Sequence, residues 1–247
     1  MRNVKLTLAY DGTRFLGWQK TNEGPSIEQE LETVLGKILQ EKTVLQATSR
    51  TDAGVHARGQ IVNFRTEKLI PTDKLHLSLC CLLPKDVVVI AVEEVHENFH
   101  PTLDVAGKEY HYWMCTDTFQ YPEHRLYSWH YPYSLDLNIM QEAAESLIGT
   151  HDFSAFCNLK KNQEYEHCIR EVKDIRILPI DKRLRFEIVG KSFLYKMVRN
   201  LVGSMVCVGR GKIAAKEFMK ILETKDRRLA GVTAPAHGLI LHETFYS

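Results

Sequence analysis

The sequence predicts a mixed α+β protein made of two similar halves. Segments that alternate polar and apolar residues, as strands do, interchange with amphipathic helical segments, and this order broadly recurs in the second half. The length of 247 residues suits one large domain or two modest ones with a sizeable core. We place the boundary between halves 1–103 and 104–247, within the stretch HPTLDVAG at residues 100–107.

The first half contains two helical segments among its strand-like segments. Helix 25–40 has a clear start, because Ser26 is a plausible N-cap, Gln29 occupies the capping-box position and Pro25 precedes them. Its apolar face repeats with helical spacing. The predicted strands are VKLTLAY (4–10), TVLQAT (43–48), GQIVNFRT (59–66) and DVVVIAVEEV (86–95), and the second predicted helix is PTDKLHLSLCCLL (71–83).

The second half follows the same general plan. A helix is predicted over 135–149, ending at Gly149, because glycine is a common helix terminator. The predicted strands are KEYHYWMCT (108–116), the pair REVKDIRILPI (170–180) and RLRFEIVGKSF (183–193), and GLILHETFY (238–246). The other predicted helices are LYKMVRNLVGSMVCVG (194–209) and AAKEFMKILET (214–224).

The composition is that of an ordinary water-soluble protein. Hydrophobic residues make up 44% and charged residues 26%, and no run of about 18 apolar residues predicts a membrane span. The first twelve residues lack a signal-peptide core, and the six cysteines form no C-x-x-C pair, so we expect reduced thiols and a cytoplasmic protein. A net charge of +1 permits nucleic-acid binding but does not predict it.

The stretch SRTDAGVHARGQ, residues 49–60, is the first chemical candidate. On pattern alone Asp52 is a turn former, since aspartate and glycine are typical turn residues. However, a simple turn does not require Arg50 and Arg58, which lie in the same stretch. A nearby guanidinium stabilises the ionised form of a carboxylate, which would suit a nucleophile or an electrostatic partner inside a cleft.

Arg199 lies on a predicted helix that is apolar around much of its girth. Lys196, Asn200 and Gly203 share its face at helical spacing. A solvated charged face is one interpretation of this pattern. The other is a buried arginine, which needs an anionic partner, and Asp52 is one candidate for that partner.

Two tyrosines and a polar–aromatic loop complete the candidates from residue chemistry. Tyr110 and Tyr112 share one face of a predicted strand, where packing is the ordinary role and base stacking or proton transfer the functional one. In the loop after the first strand, Arg14 and Trp18 could meet RNA, or Phe15 and Trp18 could cap the core. The sequence shows no metal-ligand set and no phosphate-binding glycine motif, so side chains alone would carry any chemistry.

Taken together, these segments resemble the tRNA pseudouridine synthase A family. The segments, in the family's order, are YDGTRFLGWQ (10–19), SRTDAGVHARGQIVNF (49–64), NFHP (98–101), KEYHYW (108–113), GTHDFSAF (149–156), FLYKMVRNLVGS (193–204) and APAHGLIL (234–241). The string RTDAGVHA is the most discriminating of them.

The resemblance implies the pseudouridine synthase fold, a mixed and mainly antiparallel sheet from two related α/β halves with a central active-site cleft. It implies a homodimeric isomerase that needs no cofactor and no metal, and that acts on uridines 38, 39 and 40 of the tRNA anticodon stem–loop. It makes Asp52 the catalytic aspartate, Tyr110 the base contact and candidate for removing the C5 proton, and Arg199 the partner of Asp52. The predicted tRNA contacts are Tyr110, Arg14, Arg50, Arg58 and Lys196.

Three positions depart from the family's usual pattern. Ser49 stands where glycine is common, Thr102 where arginine is common, and Lys108 where arginine is common. Two other function classes share these residues: a base-releasing glycosylase with Asp52 stabilising an oxocarbenium-like state, and a non-catalytic RNA-binding module with Asp52 as a turn former. The sequence also leaves open whether the carboxylate attacks C1′ or removes the 2′ proton.

Overall fold

The computed structural model describes residues 1–158 and 167–246. In chain order the strands are β1 (Arg2–Tyr10), β2 (Gln46–Ala47), β3 (His56–Thr66), β4 (Val87–Val95), β5 (Val105–Cys115), β6 (Trp129–His130), β7 (Gly149–Asp152), β8 (Ile169–Ile180), β9 (Arg183–Gly190) and β10 (Leu239–Tyr246). The helices are α1 (Ile27–Leu39), α2 (Thr72–Leu82), α3 (Leu137–Glu145), α4 (Met197–Gly209) and α5 (Ala215–Thr224).

Packing divides the described chain into two compact units. The first unit comprises residues 1–106 and the last strand from Ile240 onward, and the second unit comprises residues 107–239. The first unit therefore takes its final strand from the far end of the chain.

Strands of the first unit lie in the order β4, β1, β3, β10, and β2 also pairs with β3. The pairings β1–β3, β1–β4 and β2–β3 are antiparallel, whereas β10 runs parallel to β3. Helix α2 packs on β4 and also contacts α1. The carboxyl end of β1 lies opposite the start of β3, where Tyr10 pairs with Ala57. This arrangement brings the loop after β1 next to the loop that carries Asp52.

Strands of the second unit lie in the order β5, β9, β8, β7, with β6 beside β5. The pairings β5–β9, β9–β8 and β8–β7 are antiparallel, whereas the short β5–β6 pairing is parallel. Helix α3 packs against α4, α5 and β8. The side chains of Leu184, Phe186 and Ile188 on β9 are buried. They belong to the core of this unit.

The predicted fold class is confirmed. Each unit combines helices with a sheet in which antiparallel neighbours predominate over parallel ones. The longest helices in residues 1–158 and 167–246, α1 and α4, have 13 residues each. Within that part of the chain no helix is long and apolar enough to cross a membrane.

Helix α1 confirms the predicted start and the predicted apolar face. The Ser26 hydroxyl accepts a hydrogen bond from the Gln29 amide, so one of the unsatisfied N–H groups of the first turn has a partner. Ile27, Leu31 and Leu35 on the predicted face are fully buried. The sequence signal for this helix was therefore both a cap and a periodicity.

Two predicted elements are clearly shorter in the structure than predicted. The strand predicted over 43–48 is reduced to Gln46–Ala47, because only these two residues pair with β3. The helix predicted to end at Gly149 ends at Glu145, and Gly149 instead begins β7 with a φ of +113°. A positive φ suits glycine at a chain reversal as well as at a helix end, so the residue type alone could not separate the two.

Candidate active site

Asp52 lies in the loop that joins β2 to β3 in the first unit. Its side chain is half-buried, and its carbonyl accepts a hydrogen bond from the Val55 amide, which closes a tight turn. Gly54 within that turn has a φ of +76°, a conformation that favours glycine. The turn interpretation of Asp52 is therefore correct, and the turn leaves Asp52 half-buried shortly before the start of β3.

The start of this loop is held by Gln60, a fully buried residue of β3. Its amide nitrogen donates to the Ser49 carbonyl at 2.6 Å, and its amide oxygen accepts from the Ser49 N–H at 3.2 Å. The side chain thus pairs with Ser49 as a neighbouring strand would. The backbone of Ser49 lies outside the left-handed region, so serine replaces the family's usual glycine without conformational strain.

The middle of the loop is held by the end of β1. The Tyr10 hydroxyl lies 2.8 Å from the Thr51 hydroxyl, and it also accepts a hydrogen bond from the Gln60 amide. Tyr10 and Thr51 are both buried. These groups form a short hydrogen-bonded network immediately before Asp52.

The loop after β1 packs directly on the Asp52 turn. The Thr51 carbonyl accepts from the Trp18 amide at 3.0 Å, and the Phe15 carbonyl accepts from the Gly54 amide at 3.3 Å. A Cβ on Gly17 would lie 2.7 Å from the Thr51 carbonyl oxygen, so only glycine allows this approach. Phe15 and Trp18 are each 2% exposed. Of the two interpretations left open for this loop, core capping is correct for its aromatic residues.

His56, at the start of β3, also contacts the loop after β1. Its Nδ1 accepts a hydrogen bond from the Gly12 amide at 3.1 Å and lies 3.1 Å from the Asp11 carboxylate. A Cβ on Gly12 would lie 2.1 Å from the Val55 carbonyl oxygen. None of His56, Gln60 and Tyr10 was predicted as a site residue from the sequence, although all three fall inside the quoted motifs.

Three predicted tRNA contacts, Arg14, Arg50 and Arg58, are exposed side chains of the first unit. Arg14 forms an ion pair with Asp86 at 2.5 Å, and its guanidinium lies over the Phe15 ring, 4.8 Å from the centroid. Arg50 precedes the Asp52 turn by two residues, and Arg58 is on β3. Their exposure is compatible with contacts to an anionic partner.

Tyr110 lies on β5 in the second unit and is half-buried. Its ring contacts the Phe193 ring edge-on, with 5.2 Å between the centroids. Tyr112, two residues further along the strand, is fully buried, and its hydroxyl donates to the Pro235 carbonyl at 2.9 Å. Of the two tyrosines on the predicted face, Tyr112 is a packing residue and Tyr110 is the one with a partly accessible ring.

Arg199 lies in the first turn of α4 and is half-buried. Its Nε donates to the Ala234 carbonyl at 2.7 Å, and the Ala234 amide donates back to the Arg199 carbonyl at 3.1 Å. Burial raises the pKa of the Tyr112 phenol, and the charge of Arg199 opposes that increase. The guanidinium is therefore close to the tyrosine strand.

Helix α4 is buried around most of its girth, since Arg199 and Cys207 are its only two residues that are not buried. The helix is therefore buried as its apolar girth predicted, while Arg199 itself is only half-buried. A Cβ on Gly203 would lie 1.7 Å from the Val232 carbonyl oxygen, so the segment before Ala234 lies against the helix backbone. Lys196 caps the helix with a φ of +60°, and its ammonium lies 5.0 Å from the centre of the Tyr195 ring.

A second hydrogen-bonded network fixes residues 231–234 on α4. Asn200 is fully buried, donates to the Phe156 carbonyl and accepts from the Arg227 guanidinium and the Thr233 hydroxyl. Arg227 also donates to the Gly231 carbonyl at 2.8 Å. Because residues 231–234 include the carbonyl that binds Arg199, this network determines where that guanidinium lies.

Lys108 and Thr102 both stand where the family commonly has arginine, and their surroundings differ. Lys108 is buried on β5, and burial lowers its pKa to about 8. Thr102 is exposed, and its hydroxyl donates to the Ala47 carbonyl at 3.0 Å. Thr102 therefore stabilises the backbone near β2, a role that an arginine would not fill in the same way.

Comparison with known proteins shows the family to which the chain belongs. The sequence profile described as tRNA pseudouridine synthase matches residues 7–104 and 143–247. The chain is 53% identical to tRNA pseudouridine synthase A 2 of Protochlamydia amoebophila over 100% of its length and 95% of the relative. It is 41% identical to tRNA pseudouridine synthase A of Bacillus pumilus over 98% of each chain.

Among solved structures, the chain is similar to one from a Cbf5–Nop10–Gar1 complex, with a TM-score of 0.39 and 14% identity over 82% of this chain and 44% of the other. The sequence matches are far stronger and extend over nearly the whole length. On those matches, the chain belongs to the tRNA pseudouridine synthase family.

Proposed function

We propose that the protein isomerises uridine to pseudouridine at positions 38, 39 and 40 of the tRNA anticodon stem–loop, with Asp52 as the catalytic carboxylate. Family membership supports uridine isomerisation in tRNA, and the motif resemblance supports the three positions. The observation that carries the role of Asp52 is its turn, whose backbone is fixed by Gln60, Tyr10 and the Gly17 loop. Preorganisation of this kind lowers the cost of reaching the transition state.

The proposed reaction breaks the N1–C1′ bond, rotates the uracil and joins C5 to C1′. C5 loses one proton and N1 gains one, so the product is an isomer of the substrate and no redox step is needed. The target base must first leave its stack, at a cost of a few kcal/mol. The Asp52 carboxylate then acts at the ribose, either by attack on C1′ or by removal of the 2′ proton.

Tyr110 and Arg199 are the proposed partners of Asp52. Tyr110 would contact the uracil and remove the C5 proton, which its partly accessible ring on β5 supports. Arg199 would pair with the Asp52 carboxylate through its guanidinium. The Ala234 carbonyl supports this role because it fixes the Nε of Arg199.

The tRNA backbone would contact Arg14, Arg50, Arg58 and Lys196. The first three are exposed, and arginine suits phosphate because its planar donors can bind two oxygens at once. We also propose that the protein acts as a homodimer in the cytoplasm. Light scattering at several concentrations tests the dimer, and a monomeric mass at all of them would contradict it.

The substitution Asp52→Asn tests the proposed function. We expect no tritium release from tRNA labelled at uracil C5, because the amide cannot attack C1′ or accept the 2′ proton. Binding of tRNA, measured by filter retention, should survive, since the side chain keeps its size. Full turnover by the variant would contradict the role of Asp52, and free uracil in the wild-type products would indicate a glycosylase instead.

A further inference from the structure

The loop at residues 116–134, between β5 and α3, exposes an unusual number of aromatic side chains. Phe119, Tyr121, Tyr127 and Tyr133 are each at least 40% exposed. This aromatic loop lies between the two stretches that match the family profile, residues 7–104 and 143–247. Exposed aromatic surface of this kind is costly in water and is typical of binding sites.

The rings of the aromatic loop are ordered against one another. Trp129 and Tyr131 have centroids 4.9 Å apart, and Tyr131 and Tyr133 have centroids 5.1 Å apart, both in edge-on contact. The guanidinium of Arg210 lies over the Tyr133 ring, 4.6 Å from its centroid. Trp129, Tyr131 and Tyr133 thus form a row of rings. The row ends at the exposed Tyr133, which contacts the exposed Arg210.

Backbone hydrogen bonds hold this row in place. The Tyr131 amide donates to the Cys115 carbonyl at the end of β5, and the Tyr133 amide donates to the Tyr131 carbonyl, both at 2.8 Å. The Gln120 amide donates to the Ser128 carbonyl and hydroxyl. A surface that is already ordered loses less conformational entropy when a partner binds.

Two exposed arginines lie around the row, and the loop also carries the exposed carboxylate of Glu123. Arg125 and Arg210 are exposed, and His124 lies next to the Tyr121 ring. The nearby carboxylate of Asp117 is paired with Lys182 at 3.1 Å. Aromatic rings next to cations are the usual means by which proteins hold unpaired nucleotides.

Helix α4 connects this surface to the proposed site within the second unit. Arg199 is in the first turn of α4, and Arg210 is the residue that caps its end. Eleven residues at about 1.5 Å each separate them by about 16 Å. That distance corresponds to about five stacked nucleotides at about 3.4 Å each. One RNA strand could therefore contact both ends of the helix.

We propose that the aromatic loop and Arg210 form a second tRNA contact, in which nucleotides near the target uridine stack on Tyr133 and place a phosphate on Arg210. This inference rests on the proposed function, since it takes tRNA as the partner. The aromatic residues of this contact lie outside the two stretches that match the family profile, whereas Arg210 lies inside the second. A second copy of the chain is the competing occupant, and the experiment below separates the two.

The test measures tRNA affinity in the Asp52→Asn background, where binding is not complicated by turnover. We expect Tyr133→Ala and Arg210→Ala each to weaken binding of unmodified tRNA by about five- to tenfold. Arg210→Ala should also reduce the slope of log Kd against log salt by about one. Tyr133→Phe keeps the ring and should recover most of the lost affinity. Leu77→Ala, at an exposed apolar residue of α2, is the matched surface control.

Three outcomes would contradict the inference. If the parent binds tRNA and both alanine variants bind it equally well, only the second contact is wrong. If the variants change the mass measured by light scattering but not the affinity, the surface binds another copy of the chain. If the parent binds no tRNA at all, the proposed function fails, and the inference fails with it.

Discussion

Gln60 is the residue whose role differs most between sequence and structure. In the sequence it is one polar position in the predicted strand GQIVNFRT (59–66). In the structure it is fully buried and binds both backbone groups of Ser49. A strand pattern predicts an extended backbone but not what a buried side chain binds. The turn at Asp52 was therefore predictable, whereas its support by Gln60 was not.

Replacing Gln60 with leucine should impair turnover more than tRNA binding. The change removes both hydrogen bonds that Gln60 makes to the Ser49 backbone in a buried position, at about 1–3 kcal/mol for each bond. We expect the free energy of unfolding to fall by about 2–6 kcal/mol and kcat to fall at least about tenfold at a temperature where the variant is folded.

The control for this prediction is Gln46→Leu, at an exposed glutamine of β2. It should change neither stability nor kcat appreciably. Denaturant unfolding and tritium release measure the two quantities. A Gln60→Leu variant with lower stability but unchanged kcat would show that Gln60 supports the fold without positioning Asp52.

Among the elements, α4 shows how far a pattern can predict and where it stops. Its apolar girth correctly predicted burial, and the shared face of Arg199 and Gly203 was visible in the sequence. The contact that explains Gly203 comes from Val232, which has no regular secondary structure and no periodicity. Long-range contacts with irregular segments leave little trace in a single sequence, so this part of the site could not be predicted.

Alanine at Gly203 and alanine at Gly36 should have opposite effects. Both glycines lie inside helices, but a Cβ on Gly203 would meet the Val232 carbonyl at 1.7 Å, whereas a Cβ on Gly36 would have an ordinary contact at 3.6 Å. Gly36→Ala should therefore stabilise the protein by up to about 1 kcal/mol through helix propensity.

Gly203→Ala should destabilise it by more than about 2 kcal/mol and should reduce kcat, because the displaced segment carries the carbonyl that binds Arg199. Thermal unfolding and single-turnover kinetics provide the comparison. Similar melting temperatures for the two variants would mean that the segment near Val232 moves aside without cost.

At the scale of the molecule, the buried ionisable groups make stability depend on pH. Burial lowers the pKa of Lys108 to about 8, below the value of about 10.4 expected in the unfolded chain. Between these values the unfolded state binds more protons, so stability rises with pH. Above about pH 10 the opposite effect begins, because burial raises the pKa of Tyr112 and its phenol ionises first in the unfolded state.

Comparison with Lys108→Met isolates the lysine. From about pH 7 to about pH 9.5, the wild type should gain about 2 kcal/mol of unfolding free energy relative to that variant. Urea unfolding at both pH values measures the difference. A constant difference would mean that Lys108 has an ordinary pKa in the folded protein.

The parallel pairing of β10 with β3 has a consequence for synthesis on the ribosome. Residues 1–106 emerge first, but the sheet to which they contribute is completed only when residues 240–246 leave the exit tunnel. At about 5–20 residues per second, the β3 edge at His56 and Ala57 waits for roughly 7–27 s for its β10 partner while the second unit is translated. Because an unpaired strand edge invites aggregation, we expect the nascent first unit to need protection during that interval.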